Sequence, residues 1–288
     1  MNKRKNTFYY WAFLLPCLLA LFFIIFLPLV YGIYYSFTDS DGFQSTFIGL
    51  ENYTRILNDA QFLKSLSFTF RFTLVSVIGV NVIGLGFALL VTQNLGKLST
   101  VFRTIFFMPN LIGGIILGFI WQFVFINAFE GIAELTGIEF FNGWLADATT
   151  GFWGLVILFL WQMSGYIMLI YISFLNGIPA ELLESAEIDG ASSLQKFWKI
   201  KFPMVAPAFT ISLFLTLSNA FKVYDQNLAL TAGGPFGSTE MVAMNIYNTA
   251  FVLFEQGYAQ AKAIIFFVIV AIISIVQIYV TRKREVDL

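Results

Sequence analysis

The chain has 288 residues, of which 58% are hydrophobic and only 11% are charged. Soluble domains carry roughly 25% charged residues, so the composition excludes an ordinary soluble protein and is typical of one embedded in a bilayer. A net charge of -1 argues against binding nucleic acid through a basic surface. Histidine is absent and Cys17 is the single cysteine, which excludes histidine-based catalysis, a histidine or cysteine metal cluster and an intrachain disulfide.

Six apolar segments are long enough to cross a hydrocarbon layer of about 30 Å. The first, 10–35, follows the basic run Lys3-Arg4-Lys5, as the apolar region of a signal peptide would. It is too long for that and ends without a small-residue cleavage site, so we interpret it as an uncleaved span. The others are expected at about 69–92, 104–126, 152–175, 205–223 and 258–281. The sequence therefore predicts an all-α membrane helical bundle that occupies 1–288 as one domain, with its core at about 69–281.

Basic residues predict the orientation of these spans, because cytoplasmic loops carry the excess of Lys and Arg. With the N-terminus inside, the inner segments hold Lys3, Arg4, Lys5, Lys97, Arg103, Lys196, Lys199, Lys201, Arg282, Lys283 and Arg284. The outer loops hold Arg55 and Lys64, and Arg71, Lys222 and Lys262 lie near span ends. Both termini are therefore predicted to be cytoplasmic.

Two features of the third span and the loop after it leave alternatives open. Pro109 and Gly113-Gly114 break regular helix, which indicates either a packing kink or a backbone that lines a pathway. The acidic segment around Glu130, Glu134 and Glu139 predicts a short surface helix. It is either a docking surface for an extracytoplasmic partner or a solvated loop.

The stretch 178–203, between the fourth and fifth spans, predicts a helix-glycine-helix hairpin. Pro179 suits the first turn of a helix, and Gly190 ends that helix because glycine takes positive φ without penalty. Ser192 and Gln195 form a capping-box pattern that starts a second helix. An acidic stripe recurs every third residue in the first helix: Glu181, Glu184 and Glu187. Such a hairpin suits either insertion into a groove of a partner protein or rest on the bilayer surface.

A resemblance decides between these alternatives. Glu184-Ser185-Ala186, three residues, Gly190, nine residues and then Ile200-Lys201-Phe202-Pro203 resembles the Glu-Ala-Ala loop of binding-protein-dependent ABC importer permeases. Ser185 and Phe202 stand where that family has Ala and Leu. The resemblance implies that this cytoplasmic loop couples the permease to an ATPase, through Glu184, Ser185, Ala186, Asp189, Gly190, Ile200 and Pro203.

Further matches point to the carbohydrate branch of the family. Residues 230–235 (Leu-Thr-Ala-Gly-Gly-Pro), followed by Thr239-Glu240, resemble an outer-loop signature of maltose-, lactose- and glycerol-phosphate-type permeases. Asn52-Tyr53 and Gly257-Tyr258-Ala259 are also similar. The resemblance covers roughly 11–281 and implies import of a sugar or oligosaccharide. A sugar-phosphate or polyol derivative is the alternative, ahead of an ion-coupled secondary transporter.

The resemblance also implies an assembly in a bacterial or archaeal cytoplasmic membrane. Its expected parts are this chain, a second homologous permease, two ATP-binding cassette ATPases and an extracytoplasmic solute-binding protein. The ATPases would bind ATP and Mg²⁺, and this chain would have no cofactor and no catalytic residue. The sequence agrees, because it lacks the Gly-x-x-x-x-Gly-Lys-Ser/Thr phosphate loop.

Polar residues inside spans are the candidates for a substrate pathway, because they are costly in a bilayer. The candidates are Gln162, Tyr166, Ser218, Asn219 and Lys222. Amides, hydroxyls and aromatic faces suit a sugar ring. By resemblance, Tyr166 and Asn219 fall where maltose-type permeases place sugar contacts. Lys222 either faces the solute or pairs with Asp225 one turn on.

Overall fold

The computed structural model describes residues 3–93 and 96–283. Arg284, one of the basic residues counted above, lies outside the described residues. The chain is 79% helical and has no strand in its described part, apart from an isolated bridge between Thr38 and Phe47. The all-α prediction is therefore confirmed.

The structure contains helices of very different lengths. In chain order the first are α1 (Lys3–Leu21, continued through the π-helical Phe22–Phe26 and Leu27–Tyr35), α2 (Glu51–Ile56), α3 (Ala60–Val91), α4 (Lys97–Phe107), α5 (Gly114–Thr136) and α6 (Ala148–Leu175). They are followed by α7 (Ala180–Ile188), α8 (Ser193–Met204), α9 (Ala206–Phe221), α10 (Asp225–Leu230), α11 (Val242–Tyr247) and α12 (Gln256–Arg282). Short 3₁₀ turns cover Met108–Leu111 and Glu139–Phe141.

Among the described residues, five of these helices are individually long and apolar enough to span a membrane: α1, α3, α5, α6 and α12. The sixth predicted span is the pair α8 and α9, which meet at an angle of 66°. At 1.5 Å per residue, α9 alone measures about 24 Å, short of a hydrocarbon layer of about 30 Å. The bend therefore makes α8 a separate arm that leads into α9.

The third span begins later than predicted. The sequence pattern predicted 104–126, whereas the structure ends α4 at Phe107 and begins α5 at Gly114. Pro109 lies in a 3₁₀ turn, and Gly113 is extended with ψ 145°. Proline lacks the N–H that regular helix needs, and together with the extended backbone at Gly113 it separates α4 from α5. The predicted helix near Glu130 is present, but it continues α5 through a π-helical turn and ends at Gly137, which has φ +69°.

The contacts divide the chain into two compact units. The residues described within Met1–Asp59 and Ile246–Val268 form unit 1, and those within Ala60–Asn245 and Ile269–Leu288 form unit 2. In unit 1, the Asn52 amide donates to the carbonyls of Ser36 (3.0 Å) and Thr38 (2.7 Å). A Cβ on Gly257 would lie 2.0 Å from the Thr38 carbonyl. The motifs Asn52-Tyr53 and Gly257-Tyr258-Ala259 both lie in this unit, and these contacts of Asn52 and Gly257 explain them by packing.

Unit 2 is built around α6. Two thirds of the most apolar stretch of this helix is buried. Small residues let its neighbours approach closely: a Cβ on Gly165 would lie only 1.8 Å from the carbonyl of Phe106 in α4. Gly84 of α3 similarly lies against the Ser164 carbonyl. Close backbone approach is how helices associate where lipid offers no hydrophobic drive. These contacts hold α3 and α4 against α6.

Candidate functional site

The stretch 178–203 forms the predicted hairpin. Helix α7 ends in a turn at which Gly190 has φ +78°, and the Ala191 N–H donates to the Ala186 carbonyl at 2.9 Å. A Cβ on Gly190 would meet nothing within 4 Å, so glycine is favoured there by backbone conformation alone. Ser192 and Gln195 form the predicted capping box, in which the Ser192 N–H donates to the Gln195 side chain at 2.7 Å.

The hairpin residues singled out from the sequence divide by exposure. Glu184, Ser185, Asp189 and Gly190 are exposed, whereas Ala186, Ile200 and Pro203 are half-buried. Large apolar side chains are also uncovered on the hairpin, among them Ile188 (87% exposed), Leu194 and Trp198. The first arm therefore presents a mixed acidic and apolar surface, and the second arm carries the chain into α9.

One ion pair crosses the hairpin. Lys196 Nζ lies 2.5 Å from a Glu187 carboxylate oxygen. This hydrogen bond and the lysine charge hold the pKa of Glu187 below its usual range. Glu181 and Glu184, on the same acidic stripe, have no ion pair within the described ranges 3–93 and 96–283.

Gln162 lies at the break between α4 and α5. Its side chain is buried; its Nε2 donates to the Ile112 carbonyl at 3.3 Å, and its Oε1 accepts from Gln226 at 2.9 Å. A break in a membrane helix frees backbone groups that must find partners nearby. Gln162 therefore supplies a hydrogen-bond partner for the non-helical backbone at Ile112. Both ends of its side-chain amide are engaged, by Ile112 and by Gln226.

The other pathway candidates lie partly together. Ser218 and Asn219 lie in the last turn of α9 and Lys222 follows as its C-cap residue, whereas Ser212, Thr216 and Ala220 of the same helix are buried. Asn219 and Lys222 are exposed, and Ser218 is half-buried. Tyr166, on α6, is also half-buried, and no hydrogen bond in the described structure joins it to them. The alternative that Lys222 pairs with Asp225 is wrong, since neither has an ion pair in the described part of the chain.

The sequence analysis missed a buried polar contact among three spans. The Tyr171 hydroxyl of α6 donates to Asn81 of α3 at 2.9 Å, and the Asn81 amide reaches Thr216 of α9 at 3.5 Å. All three side chains are buried. A single asparagine inside the apolar run of α3 was the available signal. Hydrogen bonds of this kind hold neighbouring membrane helices together.

A second missed feature is the buried Glu240. Its carboxylate accepts hydrogen bonds from Gln61 (2.6 Å), Ser65 (3.3 Å) and Asn245 (3.2 Å). Gln61 and Ser65 belong to the start of α3. Through these hydrogen bonds, Glu240 of the motif Thr239-Glu240 connects the loop before α11 to that helix. Its role in the structure is therefore to anchor a loop within unit 2.

Unit 1 contains a cluster of charges around Tyr258. Lys262 Nζ lies 2.9 Å from Asp59, and the Tyr258 hydroxyl donates to Asp59 at 2.8 Å. Arg55 pairs with Glu255 at 2.9 Å and lies 3.9 Å above the Tyr258 ring. The sequence analysis placed Lys262 near a span end and did not find its partner. A lysine within an apolar span is itself a signal that a partner must exist.

Comparison with known proteins defines the class of this fold. It matches a crystal structure of a bacterial ABC transporter involved in the import of the acidic polysaccharide alginate, with a TM-score of 0.84, 18% identity and coverage of 97% of this chain and 96% of that chain. The fold is therefore that of an ABC transporter permease. The family model described as binding-protein-dependent transport system inner membrane component matches residues 81–286, and the chain belongs to that family. The family resemblance of the hairpin motif is thereby confirmed.

Curated relatives align along nearly the whole chain. It is 50% identical over 285 residues to a probable starch degradation products transport system permease protein, AmyD, of Thermoanaerobacterium thermosulfurigenes, covering 99% of this chain and 97% of the relative. It is 33% identical over 290 residues to the multiple sugar-binding transport system permease protein MsmF of Streptococcus mutans, covering 99% of each. It is 32% identical to the trehalose/maltose transport system permease protein MalF of Thermococcus litoralis, covering 94% and 93%.

Proposed function

We propose that this chain is a permease subunit of an ABC importer that moves a sugar, most specifically an oligosaccharide of the kind released from starch. The observation that carries the proposal is 50% identity, over 99% of the chain, to a relative named for starch degradation products. Two further relatives are named for sugars. A match of this extent includes the hairpin, the spans and the loops together.

Import of a sugar phosphate is the second candidate. One relative is an sn-glycerol-3-phosphate transport system permease protein, UgpA, of Brucella abortus, at 30% identity over 90% of this chain. Lys222 is exposed and has no ion pair in the described structure, so its charge is available to an anion. The lower identity and shorter coverage rank this candidate below a neutral oligosaccharide.

In the proposed assembly the chain works with a second permease, two ATPase subunits and an extracytoplasmic binding protein. ATP and Mg²⁺ would be held by the ATPases, and this chain would perform no chemistry. The hairpin would face the cytoplasm, together with both termini, because the basic residues of the chain collect in those segments. The uncovered acidic and apolar surface of α7 suits a groove on an ATPase.

Movement of the hairpin would reach the substrate through α9. Helix α8 leads directly into α9 through the 66° bend, and the end of α9 carries the half-buried Ser218, the exposed Asn219 and, at its C-cap, the exposed Lys222. We assign sugar contacts to those residues and to Tyr166. Gln162 acts on the pathway through the Ile112 carbonyl, which it holds in place. A small tilt of α9 would thus change which side of the membrane these groups face.

Uptake by the assembled transporter tests the proposal. The complete transporter, with its own binding protein, is placed in proteoliposomes and given radiolabelled maltotriose or glycerol-3-phosphate with internal ATP. We expect ATP-dependent accumulation of maltotriose and none of glycerol-3-phosphate. Accumulation of the phosphate alone would favour the second candidate, and uptake driven by an ion gradient without ATP would overturn both.

A further inference from the structure

The two arms of the hairpin carry opposite charges. The arm before Gly190 holds Glu181, Glu184, Glu187 and Asp189, and the arm after it holds Lys196, Lys199 and Lys201. Among these, Glu187 and Lys196 are in contact across the turn. The Lys196 side chain is only 16% exposed, whereas that of Glu187 is 66% exposed. The Lys196 side chain therefore packs against the hairpin, and the Glu187 side chain lies on its solvent side.

This pair is the side-chain link between α7 and α8. Across the described part of the chain, no other side-chain hydrogen bond or ion pair joins these two helices. The turn itself rests on backbone hydrogen bonds, including Gly190 N–H to the Glu187 carbonyl at 3.0 Å. Because a Cβ on Gly190 would meet no atom within 4 Å, no side chain packs against the turn there. The pair therefore adds a side-chain constraint to an angle that is otherwise set by the backbone hydrogen bonds of the turn.

We propose that the Glu187–Lys196 ion pair is a positioning element that fixes the angle between α7 and α8, so that force on α7 is delivered to α9. This inference rests on the proposed function of the hairpin as the contact with an ATPase. If the angle between α7 and α8 changes when force acts on α7, less of the movement of α7 reaches α9. The pair touches neither substrate nor nucleotide in this role.

The same contact divides the acidic stripe into two functions. Glu187 is engaged within the chain, which leaves Glu181 and Glu184 exposed and without ion pairs in the described residues. Those two carboxylates remain for a basic surface of the partner, while Glu187 holds the arms. The Glu187 side chain is 66% exposed, so water screens the pair and it contributes little to the free energy of folding. Its loss is therefore expected to change transmission and leave the fold intact.

The test measures ATP hydrolysed per sugar transported by the complete transporter in proteoliposomes. Glu187→Gln and Lys196→Gln are each expected to raise that ratio about threefold, with unchanged assembly. The charge-exchanged double variant, Glu187→Lys with Lys196→Glu, is expected to restore the ratio. Lys199→Gln is the matched control, because it removes a charge from the same arm without removing an ion pair, and its ratio is expected to match that of the original protein.

A second measurement reports the angle directly. Spin labels on Glu181 and Lys199, in a chain with Cys17→Ser, give a distance distribution that we expect to broaden in Glu187→Gln. An unchanged distribution together with an unchanged ratio would overturn the inference. Failure of the exchanged pair to restore either quantity would also overturn it, because it would assign the two residues to separate contacts. If the original protein transports no sugar at all, the proposed function fails instead.

Discussion

Lys262, in the second turn of α12, lies 2.9 Å from Asp59, and its side chain is only 4% exposed. It also donates to the Thr249 hydroxyl at 3.0 Å. A charge removed from water in this way is tolerated only when a partner and further hydrogen bonds replace the lost hydration. Unit 1 therefore contains a buried ion pair that connects the residue before α3 with the start of the last helix.

Removing one partner of this pair should destabilise unit 1. Lys262→Met leaves the Asp59 carboxylate without its ion pair, and breaking a buried pair costs about 3–5 kcal/mol. We expect the lower end of that range, because the Asp59 side chain is 19% exposed and the Tyr258 hydroxyl still donates to it in the variant. Thermal unfolding of the purified transporter in detergent measures the change.

The double variant Lys262→Met with Asp59→Leu is the control for that experiment. It removes both charges, and replacing a buried ion pair by apolar groups is often neutral. We expect it to unfold at a higher temperature than Lys262→Met alone. An equal decrease of the unfolding temperature in both variants would show that Lys262 stabilises the protein through contacts other than the ion pair.

The turn at Gly190 should tolerate only residues that accept positive φ. Its φ of +78° costs an ordinary residue about 1–2 kcal/mol, and proline cannot adopt it at all. Gly190→Pro is expected to abolish sugar uptake, Gly190→Ala to reduce it several-fold and Gly190→Asn to retain most of it. Initial uptake rates, corrected for the amount of subunit in the membrane, decide the order; normal uptake by the proline variant would contradict the hairpin model.

Charge reversal on the exposed stripe should uncouple transport without affecting folding. Glu184→Lys replaces an exposed carboxylate that has no ion pair in the described structure, so the isolated subunit loses no contact. We expect it to reach the membrane normally but to lose uptake and ATPase stimulation. Retained uptake in this variant would place the partner contact elsewhere.

The exposed face of α9 should govern affinity for the solute. Within the described residues, Asn219 donates only to the Leu215 carbonyl of its own helix at 2.8 Å, so Asn219→Ala removes no hydrogen bond between helices. We expect a several-fold rise in the KM for sugar with unchanged assembly. Ile211→Ala, on the same helix and also exposed, is the comparison. Identical kinetics in the two variants would remove Asn219 from the pathway.

The start of α6 should respond to acid. Two backbone N–H groups, of Thr150 and Thr149, donate to Asp147 and lower the pKa of its carboxyl group. Its stabilising effect is therefore complete above the usual aspartate range, near 3.9, and is lost as pH falls through the lowered value. Asp147→Ala is expected to unfold a few degrees lower at pH 7, with the difference narrowing as the pH falls below the usual aspartate pKa and through the lowered one. Unfolding midpoints measured across that range test this; a constant difference would contradict the assignment.

Much of the fold follows from local pattern. Apolar runs predicted the spans, and Gly190 with the Ser192–Gln195 box predicted a hairpin that the structure contains, because caps and turns depend on neighbouring residues alone. The predicted start of the third span was wrong, although Pro109 and Gly113-Gly114 were expected to break regular helix. Hydropathy alone placed that start, and residues 105–108 before Pro109 are as apolar as a span. The partner of Gln162 is a carbonyl 50 residues away, which no local pattern contains.

The sequence by itself determined that this is an all-α membrane protein of the permease family, since span length and the spacing of the hairpin motif are properties of the chain read in order. Only the tertiary structure decided which polar groups are engaged and which are free. Lys222 has no ion pair in the described residues, whereas Lys262, Glu187 and Gln162 are held. The physical reason is that a buried polar side chain must find a partner in space, and that partner is chosen by packing between segments that lie far apart in the chain.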